Sequence, residues 1–227
     1  MIVTIDGPAG AGKSSIARQV ADHLEFDFLD TGAMYRAVTL GAIRAQIDWH
    51  DTDALVAYAT NVQLDWDGKR IFLEGEDVTQ EIRTPTVTAA IRYLADLPQV
   101  RCQLSALQRR VAAGRNIVTE GRDQGSDVFP DAQCKIFLTA SSEERARRRQ
   151  QQLAAAGRHL TLEEILEAQN RRDQEDRRRP VGALRAAEDA VVIESDGLSP
   201  GEVLQHVLQI VERVSQATRL ESTDSAG

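Results

Sequence analysis

Ile2-Val3-Thr4-Ile5-Asp6-Gly7-Pro8-Ala9-Gly10-Ala11-Gly12-Lys13-Ser14 decides the fold. Ile2, Val3, Thr4 and Ile5 are all β-branched, and a run without polar alternation reads as a strand buried on both faces. The glycine loop Gly7 to Gly12 follows at once, and then a helical pattern from Lys13 to about Leu24. Gly-x-x-x-x-Gly-Lys-Ser between a strand and a helix is a phosphate-binding loop. Its backbone N–H groups surround phosphate oxygens, and the helix N-terminus adds the positive end of its dipole. Lys13 is placed to reach the outer phosphates of a nucleoside triphosphate, and the Ser14 hydroxyl to ligate Mg²⁺.

Strand and helix keep alternating outward from this loop. Phe26-Asp27-Phe28-Leu29 suits a second strand, and Asp30 or Thr31 is placed to cap a helix over about 33–45. Ile117–Thr119, Cys134–Leu138 and Ala190–Ile193 read as three further apolar strands. A different pattern intervenes at Val62–Trp66, Asp67-Gly68 and Arg70–Leu73, which is a β-hairpin by period and turn chemistry. Ser141–Glu144 and Thr161–Glu164 offer capping boxes, and Ser199-Pro200 opens a last amphipathic helix. The class is therefore α/β, a three-layer α/β/α arrangement around a five-stranded parallel sheet. The core is expected at residues 1–37, 96–150 and 187–218, with an insertion holding a small antiparallel sheet at 38–95, a helical segment at 151–186 and a disordered tail at 219–227.

The 227 residues suffice for one sizeable core. A net charge of −8 argues against general binding to nucleic acid or acidic membranes, and no stretch approaches the ~20 apolar residues of a membrane span. Basic charge is nevertheless concentrated. Of 27 basic residues only Lys13, Lys69 and Lys135 are lysines, and many of the arginines fall between Arg145 and Arg185. Arginine suits planar, bidentate recognition of phosphate and carboxylate, so this stripe points to a local anion site. Cys102 and Cys134 have neither metal nor disulfide spacing and are expected as buried free thiols. With no signal-peptide pattern ahead of the first strand, cytoplasmic residence is the expectation.

Three uses of a triphosphate compete: a switch GTPase, a motor-type ATPase, and transfer to a small acceptor. The chain has no Asn-Lys-x-Asp segment for reading guanine, and Thr119-Glu120 only loosely matches the acidic strand end of motor ATPases. Transfer to a small acceptor needs a second anion pocket and an arginine-rich cover, and three stretches are candidates. Thr31, Tyr35 and Arg36 lie in the first turns of one helix, where they could seat a phosphate or merely cap the helix beside a solvated arginine. Arg172, Asp176 and Arg179 share one helix face, as a cover over transferring phosphates or as surface pairs such as Arg172–Asp176 and Glu175–Arg179. Glu120-Gly121-Arg122-Asp123 stands at a strand end facing the ligand crevice of such a fold, with Gly121 expected to let the backbone turn.

Taken together, these stretches resemble the bacterial cytidylate kinases among the P-loop nucleoside monophosphate kinases. The likeness runs over about residues 2 to 210. It rests on Ile5–Ser14, Asp30–Arg36, Leu73–Val78 with Glu81-Ile82-Arg83, Gly121-Arg122-Asp123, Val128–Ala132, Lys135–Leu138 with Ser141–Ala146, and Arg172–Arg179. The resemblance implies transfer of the γ-phosphoryl group of ATP, with Mg²⁺, to CMP or dCMP. It makes the 38–95 insertion the acceptor-binding part and 151–186 a lid. ATP would be held by Gly7, Pro8, Ala9, Gly10, Ala11, Gly12, Lys13, Ser14 and Ser15, with Ser14 on the metal. Thr31, Arg36 and Arg122 would hold the acceptor phosphate beside Tyr35, Arg101 and Asp123 would read cytosine, and Arg172 and Asp176 would engage the sugar. Lys13, Arg122, Arg172 and Arg179 would carry the catalytic charge, Arg179 bridging phosphates, in a protein acting as a monomer. The chain departs from the family pattern at Arg92, where relatives often have serine, at Glu120 and Gln124, and at Ser14-Ser15 in place of Gly-Thr. A kinase for UMP, dTMP or shikimate, or a non-catalytic nucleotide-binding module, stays open beside this reading.

Overall fold

The computed structural model describes residues 1–224, with side chains described through 217. In chain order the elements are β1 (Ile2–Asp6), α1 (Lys13–Leu24), β2 (Asp27–Asp30), α2 (Thr31–Arg44), α3 (Thr52–Asn61), β3 (Leu64–Trp66), β4 (Ile71–Leu73) and β5 (Glu76–Asp77). There follow α4 (Pro85–Ala90), α5 (Arg92–Ala95), α6 (Pro98–Ala112), β6 (Ile117–Gly121), β7 (Cys134–Thr139), α7 (Ser142–Ala155), α8 (Leu162–Arg178), β8 (Val191–Glu194) and α9 (Pro200–Asp224). The chain divides into two compact units, Met1–Phe26 with Asn116–Gly227, and Asp27–Arg115.

A five-stranded sheet in the order β2-β6-β1-β7-β8 and a three-stranded sheet in the order β3-β4-β5 carry the architecture. β1 runs parallel to both β6 and β7, with Asp6 level with Gly121 on one side and Phe137 on the other, and β7 runs parallel to β8. Ile117 and Val118 point to opposite faces of β6 and are both fully buried, as are Ile136 on β7 and Val3 and Ile5 on β1. Flanking helices therefore cover the sheet on both sides, as the unalternating strands require. On α1 the stripe Ile16, Ala17, Val20 and Ala21 is buried, and on α9 the stripe Val203, Val207, Ile210 and Val211. α7 and α8 pack on each other around Ala146, Leu153 and Ile165. Among the described residues no helix is long and apolar enough to cross a membrane.

The hairpin forms at Asp67-Gly68 as expected, and Asp67 fixes it by accepting the N–H groups of Lys69 and Arg70 through Oδ1 at 3.0 and 2.8 Å. It gains a third strand, β5, antiparallel to β4, which the short, charged Glu76-Asp77 did not announce. α9 continues beyond 218, where the sequence places the end of the core; residues 225–227 of the expected tail lie outside the described residues.

Two expectations are corrected. The box at Thr161 and Glu164 is complete, but at Ser141 only half of one forms. Glu144 is drawn instead to Arg148 at 2.9 Å, and the Ser141 N–H goes to Asp196 at 2.8 Å. Cys102 is exposed, not buried, because α6 turns Val100, Arg101, Leu104 and Gln108 inward and leaves position 102 on the outer face. Cys134 is buried on β7, and burial pushes its thiol up to about 12. A disulfide exchange reagent at pH 8 is accordingly expected to titrate one thiol in the native protein and two in denaturant; two fast native thiols would contradict this packing.

Candidate active site

The phosphate loop connects β1 to α1, and its first residue admits no side chain. Gly7 has φ +147°, and a Cβ there would lie 2.0 Å from the Leu138 carbonyl oxygen on β7. Gly12, at φ +89°, turns the chain into α1, so the loop's N–H groups and the helix N-terminus open together. Lys13 is 5% exposed, and its Nζ folds back to donate to the Pro8 carbonyl at 2.9 Å. Burial, helped by the positive charges of Arg122 and Arg172 and opposed by Glu120 and Asp6, lowers its pKa to about 7. A lysine disfavoured by its own cationic neighbours marks a place that gains from an added anion. The Ser14 hydroxyl donates to Glu120 Oε1 at 2.9 Å, which gives Glu120, on the buried part of β6, a partner in the loop.

Beyond Glu120 the chain forms a wide helical turn in which the Val128 and Phe129 N–H groups reach back five residues, to Asp123 and Gln124. Such turns recur at functional sites. Gly121 stands where the chain leaves β6 without a positive φ, and its small size leaves room for Gln124, whose Cγ would lie 2.7 Å from a Cβ there. The turn is held by a residue that sequence reasoning did not single out. Asp6, at the end of β1, accepts the N–H of Gln124 at 2.9 Å and of Gly125 at 2.7 Å, one on each carboxylate oxygen. Burial raises the Asp6 pKa to about 7, opposed by those two N–H groups. The only local signal was an aspartate closing an apolar strand; its partners lie more than a hundred residues away. Gln124, buried, accepts the Thr119 hydroxyl at 3.0 Å, which gives this polar side chain a partner inside the protein.

Arg122 and the arginine-rich end of α8 meet at Asp176. Arg122 Nε donates to Asp176 Oδ2 at 2.9 Å, and Arg179 lies 2.6 Å from Oδ1. Of the two readings of this face, exposed surface pairs or a charged cover, the burial of Asp176 disfavours the first: Asp176 is shared by Arg122 and Arg179, with Arg172 adding its charge. Burial raises the Asp176 pKa, but the three arginines outweigh it and hold the carboxyl below the usual range. Lys13, Ser14, Arg122, Arg172, Asp176 and Arg179 therefore stand in one unit with the phosphate loop, and Asp123, buried, sits close enough to Asp6 for their charges to interact.

Thr31, Tyr35, Arg36 and Arg101 fall in the other unit. Asp30 caps α2 by accepting the Ala33 N–H at 2.9 Å, which settles the capping alternative in favour of Asp30 and leaves Thr31 as the first helical residue. Arg36 lies on the next turn, and its Nε is buried without a hydrogen bond. Arg101, 4% exposed, donates to the Ala95 carbonyl at 3.0 Å with its guanidinium 5.4 Å from the centre of the Tyr35 ring. Tyr35 and Arg101 are thus brought together from α2 and α6. Arg92 is exposed and lies over Tyr93 at 5.1 Å.

A family model described as cytidylate kinase matches residues 3–213. The chain belongs to the cytidylate kinase family. It is 62% identical over 99% of its length to the cytidylate kinase of Rhodopirellula baltica, covering 98% of that protein. To the cytidylate kinase of Mycobacterium avium it is 48% identical, over 96% of this chain and 98% of the other. Among solved structures, an uncharacterised protein from Eubacterium ventriosum aligns over 93% of this chain and 98% of its own with a TM-score of 0.51 at 10% identity, a likeness of fold alone. Membership accounts for an arginine cluster gathered beside the phosphate loop, because a cytidylate kinase has two anionic nucleotides to accommodate.

Proposed function

We propose that the chain transfers the γ-phosphoryl group of ATP to CMP or dCMP, giving ADP and CDP or dCDP, with the acceptor held by Thr31, Tyr35, Arg36, Arg101, Arg122, Asp123, Arg172 and Asp176. The observation that carries the reading is the Arg122–Asp176–Arg179 cluster in the same unit as buried Lys13. Residues 38–95 act as the acceptor-binding insertion and 151–186 as the lid, in a cytoplasmic monomer whose partners are its small substrates.

The acceptor phosphate is already an anionic nucleophile, so no general base is needed. Catalysis falls to positioning and to charge opposing the equatorial oxygens of the transferring group. Lys13 and the loop N–H groups hold the donor phosphates, with Gly7 to Ser15 as the cradle. Arg122 and Arg36 orient the acceptor phosphate, and Arg172 and Arg179 neutralise charge between the two. Asp176, shared among the arginines, keeps them aligned before nucleotides arrive and is placed to accept a sugar hydroxyl. Asp123 can accept from the exocyclic amine of cytosine, while Arg101 can donate to O2 or N3.

The Ser14 hydroxyl and Glu120 carboxylate, 2.9 Å apart, are hard oxygen donors of the kind Mg²⁺ takes alongside substrate phosphates. Ser14 would hold the ion, with Glu120 orienting it. Mg²⁺ bound there supplies charge neutralisation on the phosphates. Among the described residues no cluster of three or more His, Cys, Asp or Glu could hold a metal by itself, so phosphates and water would complete the ligand set.

The test is Asp123→Ala. One lost base contact is worth about 1–3 kcal/mol, so kcat/KM for CMP is expected to fall about 5- to 150-fold, with the KM for ATP nearly unchanged and the preference for CMP over UMP reduced. Equal losses toward ATP and CMP would remove Asp123 from base reading.

A further inference from the structure

Arg145 lies on α7, outside the residues assigned above, and is 3% exposed. Its guanidinium joins four segments of the same unit. Nε donates to the Ala140 carbonyl at the end of β7 at 3.1 Å, and Nη2 to the Ser142 hydroxyl at 3.3 Å. Nη1 donates to the Ala9 carbonyl of the phosphate loop at 2.9 Å and stands 2.7 Å from Asp173 Oδ2 on α8. Asp173 is 1% exposed, and neither of its oxygens makes an aligned hydrogen bond, so the 2.7 Å approach is a charge contact without hydrogen-bond geometry. On the next turn back, Gln169 donates to the Arg145 carbonyl at 3.4 Å, and a Cβ on Gly10 would meet its amide nitrogen at 3.0 Å.

A buried ion pair is a poor way to stabilise a helix pair, since well-packed apolar residues of similar volume generally do as well or better. Three of Arg145's contacts are fixed to the loop, to β7 and to its own helix. The fourth is to the helix that carries Arg172, immediately before Asp173, and Asp176, three residues after it.

We propose that Arg145 and Asp173 are positioning residues that tie the register of α8 to the phosphate loop, so that nucleotide in the loop sets Arg172, Asp176 and Arg179 for transfer. The inference rests on the kinase reading for its last step, but the coupling of loop to helix stands apart from which acceptor is used. Neither side chain contacts a reacting atom: Arg145 acts through Ala9 and through α8.

The experiment combines kinetics with hydrogen exchange. In the wild type, the β,γ-imido analogue of ATP with Mg²⁺ is expected to slow amide exchange in α8 in the absence of acceptor; unchanged exchange there would overturn the proposal. Arg145→Met with Asp173→Leu replaces the pair by apolar groups and should keep Tm at or above the wild-type value, whereas Asp173→Asn alone removes one partner. In both variants kcat is expected to fall about tenfold or more while the KM for ATP stays within about threefold, and the analogue no longer slows α8 exchange. A double variant that retains wild-type kcat and wild-type protection of α8 would show that the pair only packs. Failure of the wild type to phosphorylate CMP would instead defeat the functional reading, and it would leave the exchange result standing because that requires the ATP analogue alone.

Discussion

Lys13→Met is expected to lower kcat by on the order of 10³-fold, the scale of losing a preorganised charge at a developing anion, while the Tm of the nucleotide-free protein holds or rises. The two halves have one cause. In the free protein Lys13 is buried beside Arg122 and Arg172, and burial together with those charges brings its pKa to about 7. Its unfolded pKa is the ordinary lysine value, so between about pH 7 and 10 the unfolded chain binds more protons and stability rises with pH. The penalty for burying the charged amine is fully present below that window and gone above it. Methionine keeps the apolar stem and discards the penalty, so the gain in Tm is expected at pH 7 and below and should vanish toward pH 10. Differential scanning calorimetry at three pH values, with turnover measured in parallel, checks both halves. A variant that loses activity and stability together at pH 7 would make Lys13 a folding residue.

Arg122→Met is the second large effect, with a loss on the order of 10³-fold in kcat/KM for CMP and little change in ATP affinity. Arg122 donates to Asp176 at 2.9 Å, so its removal also leaves that carboxylate with less opposing charge. Asp176 is ionised below the usual carboxylate range in the folded protein, despite its burial, because Arg122, Arg179 and Arg172 favour the charge. Its contribution to stability is present above the unfolded carboxylate pKa and is lost as pH falls through the lower folded value. Without Arg122 that folded value rises, and the midpoint of acid unfolding should move to higher pH. Unfolding followed by circular dichroism from pH 6 to 2 reads the shift. An unchanged acid midpoint would mean that Arg179 and Arg172 alone hold Asp176.

Much of this site was legible because its strongest signal is local. Ile2–Ser14 contains strand, loop and helix start within contiguous residues, and each obeys a rule that operates over one turn or one pleat. The Thr161–Glu164 box and the Asp67-Gly68 turn were readable for the same reason. What escaped was set by partners distant in the chain. Asp6 reads as a strand terminus until Gln124 and Gly125 are brought to it, and Arg145 as one arginine in a basic run until Ala9 and Asp173 converge on it. Helix spacing put Arg172 and Arg179 near Asp176, but it could not show Arg122, which reaches Asp176 from the turn after β6, 54 residues away. Cys102 was misjudged because the apolar pattern of α6 was assumed to include it, and the buried face instead takes in Arg101 and Gln108. Family resemblance supplied Arg101, which no spacing rule would have separated from the other arginines of α6.

The central claim is that this arrangement phosphorylates a cytidine monophosphate, and an acceptor panel tests it most directly. ADP release from ATP with Mg²⁺ is followed with CMP, dCMP, UMP, AMP and dTMP at equal concentrations. The account predicts that CMP and dCMP give the fastest turnover, with AMP far behind because adenine offers an amine beside a ring nitrogen but lacks the O2 acceptor of cytosine and carries a larger ring. Fastest turnover with AMP, or ATP binding with no ADP released for any acceptor, would contradict it.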